Sequence, residues 1–232
     1  MIEQPRGTIA AVFHPGFSLP HRYRPARAEG MHGALILLHG YGSNEDDLFS
    51  LTPYLDERFH VLSLRAPLML MPGAYAWFPL TFTARGEALV NADDALRNLH
   101  HALQIIREAA RALAQPPQRT FLLGFSQGAV IAAAALALTP EHLAGGVLMS
   151  GAAPPSDLAS GADVLRGKTA LVTHGVHDTV LPVQHGRALA AWLRARGAHV
   201  THCEYAADHT VDEAMLEDLD RWLGEQLNTA AD

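Results

Sequence analysis

The chain has 232 residues, 49% of them apolar and 18% charged. That size suits one α/β domain whose core is large enough to fold without metal or disulfide staples. Lys and Arg number 17 against 24 Asp and Glu, a formal charge of −7 with no basic run, so neither nucleic acid nor an anionic membrane surface is expected as a partner. The one cysteine, Cys203, excludes an internal disulfide and a cysteine-based zinc site.

Met1 to Thr8 shows no basic segment leading into a long apolar one. The longest apolar runs fall short of the about 20 residues that a bilayer span needs. A cytoplasmic protein without membrane insertion is the expectation. Within residues 1–32, Thr8–Phe13 and Phe17–Tyr23 predict an antiparallel hairpin on a sheet edge. From Gly33 onward short apolar runs alternate with amphipathic stretches. Ala34–Leu38 is a continuous apolar run, as in a strand buried on both faces, and it ends in His39-Gly40-Tyr41-Gly42. A helix is predicted from Ser43, with Asp46 three residues on as its capping partner. Val61–Leu64 is the next strand, followed by a loop containing Pro67, Pro72, Gly73 and Pro79.

The longest helix is predicted from Ala92 to Ala114, with Leu96, Leu99, Leu103, Ile106, Ala110 and Leu113 on one apolar stripe and Pro116-Pro117 as its stop. Phe121–Leu123 reads as a strand and Ala129–Leu138 as a small-residue helix. Gly146–Met149 and Ala170–Thr173 are further strands, with a Pro-containing loop between them. A helix over Val183–Arg196 stops at Gly197, Val200–Tyr205 alternates as a strand, and a last helix spans Val211–Leu227 with Thr210 and Glu213 as a capping box. No repeat, low-complexity tract or linker interrupts the pattern. It predicts a single-domain three-layer α/β sandwich with a mostly parallel sheet.

Gly124-Phe125-Ser126-Gln127-Gly128 lies between a predicted buried strand and a predicted Ala-rich helix, the context of a nucleophile elbow. The turn is tight enough that residues two before and two after the serine leave no space for side chains, hence the glycines. The following helix aims its free N–H groups at the serine. Together with His39-Gly40-Tyr41-Gly42-Ser43 and Ala76-Trp77-Phe78, this segment resembles the phospholipase/carboxylesterase family, which includes acyl-protein thioesterases and small bacterial carboxylesterases. The resemblance runs from about Gly33 to Leu223 and implies the α/β-hydrolase fold.

A serine hydroxyl needs a base, and a neutral imidazole supplies one near pH 7. In this fold the order is Ser, acid, His. Asp157, Asp163, Asp178 and Asp208 follow Ser126, and Asp178 comes directly after a strand, at the sheet edge where such sites form. The resemblance implies Asp178 too. Among the histidines, His100 and His101 lie mid-helix, His142, His185 and His199 in polar settings, and His202 inside a strand. His209 follows the last strand, as the order requires, and the resemblance implies it as the base. The family usually has Gly before this histidine, whereas this chain has Asp208.

The backbone N–H groups of Tyr41 and Gln127 are the expected oxyanion donors. The expected reaction is acyl transfer from a small-molecule ester or thioester, lysophospholipids included, with no cofactor and no metal. Homodimerisation is compatible with this reading. About twenty residues separate the strands at Gly146–Met149 and Ala170–Thr173, too few for a helical lid, so no cap domain is expected and the site should be open. The apolar loop Pro67–Pro79 is the expected acyl-pocket wall, with Met71, Trp77, Phe78 and Tyr41 touching substrate, while Trp192 and Trp222 belong to the core. Two other readings compete. One is a metal-dependent hydrolase using His174, His177 and Asp178, and the other is a non-catalytic binding module of the same fold. A dienelactone-hydrolase-like enzyme would need Cys at position 126.

Overall fold

A computed structural model describes residues 13–83, 88–159 and 161–229. In chain order the main elements are β1 (His21–Arg24), β2 (Gly33–Leu38), α1 (Glu45–Phe49), β3 (Phe59–Leu64), β4 (Leu68–Met71), β5 (Ala74–Ala76), β6 (Thr81–Phe82), β7 (Ala88–Leu89), α2 (Ala92–Leu113), β8 (Thr120–Phe125), α3 (Gln127–Leu138), β9 (Gly145–Met149), β10 (Thr169–Gly175), α4 (Gln184–Arg194), β11 (His199–Tyr205) and α5 (Glu213–Thr229). Among the described residues, seven strands form one sheet in the order β1-β3-β2-β8-β9-β10-β11. Only β1 runs antiparallel, against β3.

The central strands read as unbroken apolar runs because both of their faces are covered. Ala34, Ile36 and Leu38 of β2 point into one core layer with residues of α2, α3 and α4, and Leu35 and Leu37 point into the other with α1 and α5. Trp192 and Trp222 are buried in these two layers. The Ala-rich α3 is the innermost helix. A Cβ on Gly128 would come 1.9 Å from the Leu38 carbonyl oxygen, so this turn of the helix lies directly against the end of β2. Among the described residues, no helix is long and apolar enough to cross a membrane.

Several local expectations need correction. Asn44, not Ser43, caps α1, its side-chain oxygen accepting the Asp46 N–H at 2.9 Å. Asp212, not Thr210, caps α5 by accepting the Met215 N–H at 2.8 Å. The Pro67–Pro79 segment is not plain loop, because β4 and β5 pair within it as an antiparallel hairpin. Ala114 ends α2 in a left-handed conformation, φ 52°, before the two prolines. Leu96 leaves the apolar stripe of that helix and is 48% exposed. Of the N-terminal hairpin, Thr8 to Val12 lie outside the described residues. The second arm is present as β1, on the sheet edge.

The sequence reading missed how β1 is tied down. Arg24 is 1% exposed and donates to four backbone carbonyls, those of Thr52, Leu55, Asp56 and Phe59. Burial pulls its guanidinium down to about 10. A guanidinium has enough fixed donors to satisfy all four oxygens, which a lysine could not do.

Candidate active site

Ser126 is the hinge between β8 and α3. Its φ of 52° and ψ of −115° lie in a strained region that a non-glycine residue holds only when its surroundings force it. The forcing contacts are backbone ones. The Ser126 N–H donates to the Met149 carbonyl at 2.9 Å, and the Ser126 carbonyl accepts from Ala129 and Val130 at 3.0 and 3.3 Å. A Cβ on Gly124 would stand 2.4 Å from the Gly128 carbonyl oxygen. The two glycines of the motif therefore let strand end and helix start lie in contact, with the serine side chain left half-buried at the sheet edge.

Asp178 and His209 reach the same edge on two loops stitched together by their backbones. Val176 N–H donates to the Tyr205 carbonyl at 2.8 Å, and His177 N–H to that of Ala207 at 3.0 Å. Gly175 makes the crossing possible, since a Cβ there would lie 2.2 Å from the Ala207 oxygen and 2.4 Å from that of Asp208. His209 Nδ1 stands 2.6 Å from Asp178 Oδ2, and His209 Nε2 stands 3.0 Å from Ser126 Oγ. A proton on Nδ1 donates to the carboxylate, which leaves the Nε2 lone pair facing the serine hydroxyl. The other carboxylate oxygen, Asp178 Oδ1, accepts the N–H groups of Val180 and Leu181 at 2.9 and 2.7 Å, so the aspartate side chain is buried yet fully supplied with donors. Asp208 is exposed, and its carbonyl accepts the Thr210 N–H at 2.9 Å.

His174 is a further support. It is fully buried, with Nε2 at 2.7 Å from the Leu181 carbonyl and 3.4 Å from Asp178 Oδ2. Gly186 makes room for its ring. His177 by contrast is exposed, and among the described residues no three His, Cys, Asp or Glu side chains are grouped to hold a metal ion.

The loop after β2 lies against the serine. A Cβ on Gly40 would come 3.4 Å from that of Ser126. Burial pushes the His39 imidazole below its ordinary value, so it stays neutral. Its Nε2 accepts the Ala66 N–H at 3.0 Å, which places the proton on Nδ1, 2.7 Å from the Gly40 carbonyl. Helix α3 starts at Gln127, so the backbone N–H of this residue is among those a helix cannot pair within itself.

The expected substrate-contacting residues divide. Trp77 is fully buried, its indole N–H donating to the His39 carbonyl at 2.9 Å, so it braces two loops and offers no face to substrate. Met71 sits on the β4–β5 hairpin and is 63% exposed. Tyr41 is half-buried and meets Phe82 edge-on at 6.0 Å. Phe78 lines an apolar cleft of about 460 Å³ between α2, α3 and residues 152–158. The Gln127 side chain fixes that wall, accepting the Trp77 N–H at 2.8 Å and donating to the Phe78 carbonyl at 2.7 Å. A smaller cleft of about 280 Å³ is bounded by His209, Asp47, Ser50 and Thr210.

Residues 26–227 match the phospholipase/carboxylesterase family. The chain is 30% identical over 222 residues to a rice (Oryza sativa subsp. japonica) protein named "Probable carboxylesterase", across 87% of this chain and 91% of that one. It is 29% identical over 141 residues to carboxylesterase SOBER1 of Arabidopsis thaliana, 58% of each chain. Among solved structures, a Bacillus cereus carboxylesterase superposes with a TM-score of 0.75 at 26% identity, covering 89% of this chain and 93% of that one. Sheet order and neighbours together define an α/β-hydrolase, and by class a carboxylic ester hydrolase. Within that class, the chain belongs to the phospholipase/carboxylesterase family.

Proposed function

We propose that the protein cleaves carboxylic esters through Ser126, His209 and Asp178, by way of a covalent acyl-enzyme, within a single α/β-hydrolase domain. Ser126 Oγ attacks the carbonyl carbon while His209 Nε2 takes its proton. Asp178 holds the imidazole in the useful tautomer and stabilises the imidazolium. The oxyanion is met by the backbone N–H groups of Tyr41 and Gln127, each worth about 10²-fold or more in rate. His209 then gives its proton to the departing alcohol. In the second half, water attacks the acyl-serine with His209 again as base, and the acid leaves. A thioester or a lysophospholipid would pass through the same steps, with a thiol or a glycerophosphoryl alcohol as leaving group.

The observation that supports this reading is the pair of contacts at His209, 2.6 Å to the carboxylate and 3.0 Å to the hydroxyl, on a serine strained at the head of a helix. The test is Ser126→Ala. Hydrolysis of a p-nitrophenyl ester should fall by about 10⁴-fold or more with the thermal midpoint kept. Retention of most of the activity would reject the assignment.

A further inference from the structure

We propose that His174 is a positioning residue for the acid, and that through one shared carboxylate oxygen it sets how strongly Asp178 pulls on the imidazole of His209. This rests on Ser126, His209 and Asp178 being the reacting set. Two imidazoles stand beside Asp178 Oδ2, with His209 Nδ1 at 2.6 Å and His174 Nε2 at 3.4 Å. The reaction proposed above uses the first and leaves the second idle, although the side chains of His174 and Asp178 are both fully buried.

The contacts of His174 fix which nitrogen carries its proton. The Leu181 carbonyl, 2.7 Å from Nε2, can only accept, so Nε2 is the donor. Nδ1 is then a bare acceptor, buried with no hydrogen-bond partner among the described residues. It is pressed against α4, where a Cβ on Gly186 would lie 2.5 Å from it. A leucine would fill this position and leave no polar atom of its own unpaired, so packing alone does not account for a histidine. What the imidazole adds is the Nε2–H, and it acts twice on the acid. It anchors Leu181, whose own N–H donates to Asp178 Oδ1 at 2.7 Å. It also sets the positive end of a dipole beside Oδ2, which stabilises the carboxylate and opposes positive charge on His209 across the same oxygen. The other charged or titratable groups facing His174 are His202 and Glu204 on β11 and Arg187 on α4, which meets Glu204 at 2.7 Å. These are partly exposed, so water screens them. Around His209 stand Asp178, the exposed Asp208 and, in the shared cleft, the exposed Asp47. Of all these groups, Asp178 is the one in contact with both imidazoles.

The experiment follows kcat/KM on p-nitrophenyl acetate from about pH 5 to pH 8 in the full chain. His174→Leu removes the N–H while filling the space, and His174→Gln returns an amide N–H to nearly the same place. With leucine the acid limb of the profile should move to higher pH by at least about 0.3 unit, and the plateau should fall at least tenfold. Glutamine should reverse both changes. A smaller or opposite shift of the limb in folded His174→Leu overturns the proposal whatever the plateau does, since a merely structural histidine would change the rate and leave the limb in place. A shift that glutamine does not reverse overturns it too. If neither variant folds, ¹⁵N spectra of the imidazoles in wild type decide. They should show the His174 proton on Nε2 and a signal that moves as His209 takes up its proton, and a proton on Nδ1 or an unmoved signal contradicts the proposal. Ser126→Ala run alongside keeps the two ideas separate: activity surviving there removes the nucleophile, while the ring signals, which need no turnover, still test the link between the histidines.

Discussion

The nucleophile elbow and the apolar segment from β4 to the start of α2 border the same site, yet they are built in opposite ways. At the elbow, backbone meets backbone. Gly124 and Gly128, like Gly175 at the end of β10, each sit where an added Cβ would lie within 2.4 Å of a carbonyl oxygen. Among the described residues from 68 to 96, Trp77 and Phe78 are buried but several other apolar side chains face water. Met69, Phe82, Leu89, Val90 and Leu96 are all substantially exposed. Positions held by backbone contact have little room to drift, which is the alignment that the proposed acyl transfer needs. An exposed apolar rim can be rebuilt by substitution at little cost in stability. Under the proposed function the chemistry falls to the rigid half, while the exposed half is the part that substitution can most cheaply alter.

The largest effect expected from breaking the rigid half is chemical. Asp178→Asn keeps the shape of the side chain but favours the wrong imidazole tautomer. It should lower kcat by about 10⁴-fold while leaving the thermal midpoint within a few degrees. Gly128→Ala attacks the packing instead. Its methyl group would stand 1.9 Å from the Leu38 oxygen, and relieving that overlap means moving α3 off β2. A loss of about 3 kcal/mol in urea unfolding is expected, with activity falling alongside it.

A smaller and pH-dependent effect is expected where a charge pair fastens α1 to the end of β3. Glu45 is almost wholly buried and meets Arg65, with Nε to Oε2 at 2.6 Å. Burial alone would raise its carboxyl, but the hydrogen bonds and charge of Arg65, with the charge of Arg22, hold it below the ordinary value of 4.5. Because the folded form binds this proton more weakly than the unfolded chain, the stabilisation is full above the ordinary carboxyl range and fades as pH falls through the folded value. Glu45→Gln should therefore cost about 1–2 kcal/mol at pH 7, and the gap to wild type should close in acid. Thermal melts from pH 7 to pH 3 measure it. A gap that stays constant would remove the pair from the account.

The contrast between the two halves also explains what could be read from sequence. The tight strand-to-helix turn at Ser126 was legible because backbone crowding forces a glycine on each side at a fixed spacing. The meeting of Asp178 and His209 at one sheet edge was legible because each follows a strand in a set order. The cap residues were displaced by one or two positions, since Ser43 and Thr210 have the same capping chemistry as Asn44 and Asp212 and only the local backbone chooses between them. The fate of Trp77 was not legible. An indole in an apolar loop can line a pocket or brace a core, and its bond to the His39 carbonyl depends on how two distant loops meet. Arg24 was invisible for the same reason, because its four carbonyl partners lie about thirty residues away in sequence. Leu96 fell on the predicted stripe, but periodicity does not tell which end of a helical face will line an open cleft.

Covalent labelling tests the central claim most directly. The protein is treated with a p-nitrophenyl alkylphosphonate and the modified peptide is located by mass spectrometry, in wild type and in His209→Ala. The account predicts one adduct, on Ser126, formed at a rate that matches loss of activity and slowed at least a hundredfold without the imidazole. An adduct on another residue that tracks inactivation, or labelling of Ser126 at the same rate without His209, would contradict it.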